Sequence, residues 1–288
     1  LIKQKIKDYQ QLMKLNLSLL VVMSSVVGYI IIPDLEVAWQ KLVWLALGGL
    51  LVTASANALN EIIETASDAI MRRTAIRPIP AGRMSKTEAG IFALISLFIG
   101  LYILFVAFNL LTASLSLLSH LLYVVVYTPM KKISPISVLI GAIPGSLPCL
   151  IGWVAGTNNL SSWAAWTLFS IQFFWQFPHF WSIAWIGHED YEKAGMKMLP
   201  RFDKVGQFTA LQCVLYSAVL IPMSVLPMLT LAMSLISAIP MAIAATWFLY
   251  NAVAFLKDTS DVKAKKVMFA SFIYLPVVLL SLVVDKYM

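Results

Sequence analysis

Asn60, Glu64 and Asp68 recur at every fourth position of the chain. On a helix that spacing places an amide oxygen and two carboxylates on one face, drifting slightly per turn. Such a hard, all-oxygen set suits Mg²⁺, which takes one or two carboxylates and fills its shell with water and phosphate oxygens. Arg72, Arg73 and Arg77 follow within a few turns, and guanidinium groups bind phosphate bidentately. The bland alternative is a solvated helix end whose acids and bases pair four residues apart; the amide, carboxylates and arginines together favour a metal and an anion. A second polar stretch runs Trp175-Gln176-Phe177-Pro178-His179-Phe180-Trp181 and then His188-Glu189-Asp190-Tyr191-Glu192-Lys193, with Lys197 beyond. His179, inside an aromatic run, is either a satisfied core histidine or a contact for a flat ligand between aromatic walls. Trp175, Tyr191 and Lys197 are further candidate substrate contacts. A third patch, Tyr127 to Pro135, reads as a tight turn bearing Lys131 and Lys132.

A membrane bundle must position these groups. Hydrophobic residues make up 60% of the chain, charged residues 12%, and the mean hydropathy is +0.84. A soluble domain carries about a quarter charged residues, so the bilayer is the solvent here. Splitting at charges and Pro/Gly clusters predicts an all-α, polytopic bundle of about nine spans, near 16–33, 41–59, 89–107, 109–128, 136–156, 163–185, 207–226, 228–250 and 267–284. Very short outer connections at Phe108-Asn109 and around Pro227 imply antiparallel neighbours. Gly141, Pro144, Gly145, Pro148 and Gly152 imply close helix packing or a locally opened helix in the fifth span. Cys149 and Cys213 lie far apart in apolar stretches and read as small core residues.

In this topology one side collects 19 of the 21 Lys and Arg residues, leaving Lys41 and Lys286 on the other. Positive-inside bias then puts the N-terminus inside, and an odd number of spans puts the C-terminus outside. The net charge of +7 is chiefly this topological signal, so nucleic acid is not an expected partner. The whole chain, 1–288, reads as one domain with inner catalytic loops at about 60–88 and 184–206. The apolar run Leu17 to Ile32 is too long for a signal-peptide core and lacks a small-residue cleavage site, so it reads as the first span. The short tail without transit features leans towards a bacterial plasma membrane, or a mitochondrial inner membrane in a eukaryote, with the site on the cytoplasmic or matrix side.

A metal-and-diphosphate site at the mouth of an apolar bundle suits a substrate with a long apolar chain and a pyrophosphate head. The run from Asn60 through Arg83 resembles the first signature of UbiA-type intramembrane prenyltransferases. Met71-x-Arg73-Thr74-x2-Arg77-Pro78, Tyr127-Thr128 through Pro135, Gly141-Ala142-Ile143-Pro144-Gly145, Trp175 through Trp181 and Asp190-Tyr191-x2-Ala194-Gly195-x2-Met198-Leu199-Pro200 resemble its heme-farnesylating branch, the protoheme IX farnesyltransferases. The resemblance implies farnesyl diphosphate as donor, heme b as acceptor and substrate, Mg²⁺ as cofactor, and heme O and pyrophosphate as products. It implies that Asn60, Glu64 and Asp68 hold Mg²⁺–diphosphate, that Arg73, Arg77 and Lys132 bind the diphosphate, and that His179 contacts heme. Asp190 stands as the remnant of a second acidic motif with a catalytic role. Coupling to users of the product, such as terminal oxidases or a heme A synthase, is a further implication. Glu64 stands where many relatives carry Asp, and Ala66 where they often carry another acid. A relative acting on another aromatic or quinone-precursor acceptor is the alternative; it would show an Asp-x3-Asp pattern in the second loop.

Overall fold

The computed structural model describes residues 2–288. Among them the secondary structure is helical throughout. A short amphipathic helix α1 (Ile2–Leu12) leads into α2 (Leu15–Ile30), α3 (Trp39–Asp68) and α4 (Lys86–Ala107). Next comes α5 (Leu110–Leu121), which passes through a π-helical stretch (Leu122–Tyr127) into the single turn α6 (Thr128–Met130). After it come α7 (Ser137–Thr157), α8 (Trp163–Ile186), a short α9 (His188–Lys193), α10 (Gln207–Thr230), α11 (Leu235–Lys257) and α12 (Asp261–Lys286).

Long helices stand where the nine spans are expected, but seven are long and apolar enough to cross a membrane by themselves, or eight if α1 and α2, bent by 50°, count as one. The helix outside that set is α8, whose interior carries Gln172, Gln176 and His179. Two boundaries differ from expectation. The second span does not stop near 59: α3 runs 30 residues to Asp68, about 45 Å against a hydrocarbon core of roughly 30 Å. The turn expected around Pro227 lies at 231–234 instead, because α10 absorbs both Pro222 and Pro227. One proline removes one intrahelical bond, which neighbouring helices can compensate. Ala232 takes φ 54° in that turn, and Ser234 caps α11 by accepting from the Ser237 amide.

Neighbours in sequence pack together, while α2 and α8 tie the halves. α2 lies on α3 and α7; α8 lies on α7, α10 and α12; α12 returns to touch α2. The glycines and prolines of α7 serve close packing, for α7 is one continuous helix. A β-carbon at Gly28 would collide with the Cys149 carbonyl, and one at Gly152 with the Ser25 carbonyl, so the α2 and α7 backbones meet directly. Pro148 has no N–H for the carbonyl four residues earlier, and the Ser119 hydroxyl donates to that Pro144 oxygen at 3.1 Å. Cys149 and Cys213 are free and buried.

Candidate functional site

The last turns of α3 carry Asn60, Glu64 and Asp68, all at most 4% exposed. Each meets a basic group from a different element. Lys14 donates to Asn60 Oδ1 at 2.8 Å, Lys131 stands 2.7 Å from Glu64 Oε1, and Arg77 donates to Asp68 Oδ2 at 2.6 Å. The four-apart pairing of a solvated helix end is not formed: Asp68 reaches nine residues on, Glu64 sixty-seven. Asn60 is oriented at its other end, its amide donating to Thr128 Oγ1 at 3.1 Å. The loop after α3 is folded back onto the same turns. Thr74 Oγ1 donates to the Asp68 carbonyl at 2.9 Å, and the Ile79 amide donates to Glu61 Oε1 at 3.0 Å. Burial alone would lower the Lys131 ammonium, but Glu64, with Tyr123 and Tyr191 around it, outweighs burial and raises it above the ordinary lysine value.

These residues line a cavity of about 910 Å³ that extends from Asp68 to His179. Its walls include Lys7, Gln10 and Lys14 of the N-terminal segment, Arg73 and Arg77 of the loop, and Phe180 and Phe272 near the histidine. Lys14 reaches in from the bend between α1 and α2, where it adopts the left-handed conformation at φ 48°. His179 stacks on Trp175 with ring centroids 5.0 Å apart, and Phe272 meets its edge at 5.3 Å. Trp175 is itself fixed, its indole N–H donating to the Ser271 carbonyl at 2.8 Å.

The histidine's tautomer follows from its partner. His179 Nδ1 lies 2.7 Å from Ser271 Oγ, and that hydroxyl already donates its one hydrogen to the Met268 carbonyl. Ser271 Oγ must therefore accept, so Nδ1 carries the proton and Nε2 keeps a bare lone pair. Among the described residues Nε2 makes no hydrogen bond. A second-sphere acceptor that fixes the tautomer in this way is the usual companion of a metal-ligating imidazole.

Other sequence candidates sit differently. Lys132 is exposed and outside the cavity, whereas its neighbour Lys131 is buried in it. The turn after α6 sends adjacent side chains in different directions, Lys131 towards the cavity and Lys132 to the surface. Lys197 meets the site only through its backbone, its N–H donating to the Lys131 carbonyl at 2.6 Å. Asp190 is set back from the cavity and faces the exposed Arg72 at 3.9 Å. Tyr191 does line the cavity, with its hydroxyl 3.5 Å from Arg73 Nη2. Lys14 and Lys131 are the residues the sequence reading missed. Lysine type and position on the basic side were the only signals either could offer.

The donor set fits a hard dication. Asp68 Oδ1 is buried without a hydrogen-bond donor, and Glu64 Oε1 meets Lys131 at ion-pair distance without the angle of a hydrogen bond. Both oxygens thus keep acceptor capacity beside Asn60 Oδ1. Among the described residues no three acidic, histidine or cysteine side chains converge closely enough to hold a metal alone. Water and phosphate oxygens must complete such a shell.

Residues 21–275 match the UbiA prenyltransferase family. The chain is 43% identical over 279 residues to a protoheme IX farnesyltransferase of Cytophaga hutchinsonii, covering 96% of this chain and 97% of that one. It is 40% identical over 294 residues to a protoheme IX farnesyltransferase of Flavobacterium psychrophilum, covering 100% and 97%. Its fold is similar to that of a digeranylgeranylglyceryl phosphate synthase, with TM-score 0.80, 24% identity and coverage of 98% and 99%. It is also similar to that of a UbiA homolog from Archaeoglobus fulgidus bound to DMAPP and Mg²⁺, with TM-score 0.67, 16% identity and coverage of 96% and 99%.

Proposed function

Because the chain belongs to the UbiA prenyltransferase family, we propose that it transfers the farnesyl group of farnesyl diphosphate to a vinyl group of protoheme IX. The observation that carries this reading is one cavity bearing Asn60, Glu64 and Asp68 with their basic partners at one end and an imidazole with a bare Nε2 between aromatic rings at the other. The near full-length likeness to protoheme IX farnesyltransferases supports it. The protein is an integral membrane enzyme. We place it in the cell membrane with the site on the cytoplasmic face, following its basic loops.

In the reaction the allylic C–O bond of farnesyl diphosphate breaks and its electrons leave with pyrophosphate. The terminal vinyl carbon of heme bonds to C1 of the farnesyl chain. The cation left on the inner vinyl carbon, next to the porphyrin, is taken by water, which loses a proton and leaves a hydroxyl. Asn60, Glu64 and Asp68 would hold Mg²⁺, whose charge neutralises the leaving diphosphate. Arg77 and Lys131 are held on those carboxylates in the structure; both are within the same wall and can turn to phosphate oxygens as the carboxylates are engaged elsewhere. Arg73, held only by the long Tyr191 contact, is available to the same anion. His179 orients heme through Nε2, and Phe180 and Phe272 beside it wall the acceptor end with aromatic surface. The product would pass to users of farnesylated heme such as a terminal oxidase or a heme A synthase.

The test is to incubate the purified protein with heme b, farnesyl diphosphate and Mg²⁺ and to weigh the heme. The expected product is heme heavier by one farnesyl group and one hydroxyl. Unmodified heme under conditions that preserve the fold overturns the reading.

A further inference from the structure

The cavity wall carries five cations, Lys7, Lys14, Arg73, Arg77 and Lys131, against the carboxylates of Glu64 and Asp68. Asp68 and Glu64 match Arg77 and Lys131. Lys14 donates to a neutral amide, Arg73 meets only a tyrosine hydroxyl, and Lys7 makes neither hydrogen bond nor ion pair among the described residues. Among the described residues Lys7, Lys14 and Arg73 are therefore the basic side chains of that wall without a carboxylate partner. A metal-bound diphosphate accounts for charge at the Asn60 end, which Lys14 touches. Lys7 lies on α1, ahead of the bend that holds Lys14, and its side chain is exposed, so it stands towards the mouth.

α1 is a fixed wall. On one face Arg83 donates to Asp8 Oδ1 at 2.8 Å, Lys5 and Tyr9 both donate to Glu88 Oε1 at 2.7 and 3.0 Å, and Leu12 is buried with Ala58, Ile79 and Met84. Lys7 and Gln10 of the other stripe face the cavity, with Lys14 in the bend beyond them. Protoheme carries its vinyl groups on one half of the macrocycle and its two propionates on the opposite edge. With a vinyl group at the Asn60 end, the propionates point to the mouth.

We infer that Lys7, with Gln10 beside it, forms a subsite on α1 for the carboxylates of the acceptor. The inference rests on the heme-farnesylating reading above. It makes α1 part of acceptor selection: a porphyrin dianion is held by the charge of Lys7 at one edge and by His179 at its centre.

The experiment compares wild type, Lys7→Gln and Lys7→Arg in heme titrations followed by the Soret band, and in turnover. Heme b is used beside heme whose propionates are methyl esters. Lys7→Gln is expected to weaken heme b binding about five- to tenfold, the size of one charge-assisted hydrogen bond at a partly solvated rim. Lys7→Arg is expected to restore most of that loss, and KM for farnesyl diphosphate is expected not to move. With the ester, wild type and Lys7→Gln are expected to bind alike. Equal binding of heme b by wild type and Lys7→Gln overturns the subsite, and so does a loss that persists with the ester, which would mark Lys7 as a contact for membrane surface charge. Wild type that binds heme b but leaves it unconverted overturns the proposed function, while the Soret comparison still decides the subsite.

Discussion

The chain has two acidic stretches on its basic side, and they are built in opposite ways. The first acids, Glu64 and Asp68, lie on the final turns of a 30-residue helix and are buried, each against a cation from a different element. The second acids, Glu189, Asp190 and Glu192, lie on a six-residue helix with no buried residue. Glu189 pairs there with Lys193 at 3.8 Å, one turn on, with both side chains more than half exposed. Exposed pairs of this kind contribute about 0–1 kcal/mol, whereas removing one partner of a buried pair costs about 3–5 kcal/mol. The same residue types are thus buried at a helix end in one stretch and solvated at the surface in the other. The second loop contributes its uncharged side chains instead: Tyr191, Met196 and Met198 line the cavity.

The largest expected effect tests that contrast directly. Asp68→Ala or Glu64→Ala should abolish farnesylation, a loss of about a thousandfold or more in kcat/KM. Undiminished activity in either variant would sink the metal assignment. Next comes the neighbouring pair of lysines. Lys131→Met should lower kcat/KM by about ten- to a hundredfold, as loss of a buried cation at a phosphate site does, while Lys132→Met stays within about twofold. Equal losses would mean that the turn after α6 presents both residues.

His179→Ala should weaken heme binding by about ten- to a hundredfold, read by the Soret band, with binding of Mg²⁺–farnesyl diphosphate unchanged. If neither binding step moves, His179 is structural. Ser271→Ala sharpens the point: it releases the tautomer and should reproduce part of the heme loss without touching the diphosphate. The smallest effect belongs to the second acidic stretch, where Asp190→Asn should change kcat/KM by no more than about twofold. A hundredfold loss there would restore a catalytic role to Asp190 and erase the contrast between the loops.

Acid offers a further separation. The hydrogen bond from Arg83 outweighs burial and holds the Asp8 carboxyl below its ordinary 3.8. A depressed carboxylate stabilises the folded state above its unfolded value and loses that contribution as pH falls through the folded one. The α1 clamp on the first loop should therefore loosen below about pH 4, seen as faster amide exchange in α1 than in α9.

How much of this was legible depended on distance along the chain. Asn60, Glu64 and Asp68 declare themselves by helical spacing, because their relation is local. Their partners do not. Lys14 is 46 residues from Asn60 and Lys131 is 67 from Glu64, and nothing in a sequence says which lysine of an adjacent pair turns inward. The bundle was legible from hydropathy, yet α10 runs on through Pro222 and Pro227, which a sequence reads as helix breaks. The tautomer of His179 depends on Ser271, 92 residues away, and on a carbonyl that only the folded helix aligns. α1 escaped notice because a short polar helix has no hydropathy signal.

The polar stripe of α8 carries a consequence for how the protein is made. Gln172 donates to Ser24 Oγ of α2 at 2.7 Å, and Gln176 donates to Ser146 Oγ and the Ala142 carbonyl of α7 at 2.8 and 3.1 Å. Released alone into lipid, that helix would lose the acceptor of Gln172 and leave Gln176 only the Gln172 carbonyl of its own helix, a cost on the order of several kcal/mol. Its acceptors, however, leave the ribosome first. Translation order thus supplies early helices to receive the glutamine stripe, while the histidine face of the same helix waits for Ser271 and Phe272 of α12, the last helix made.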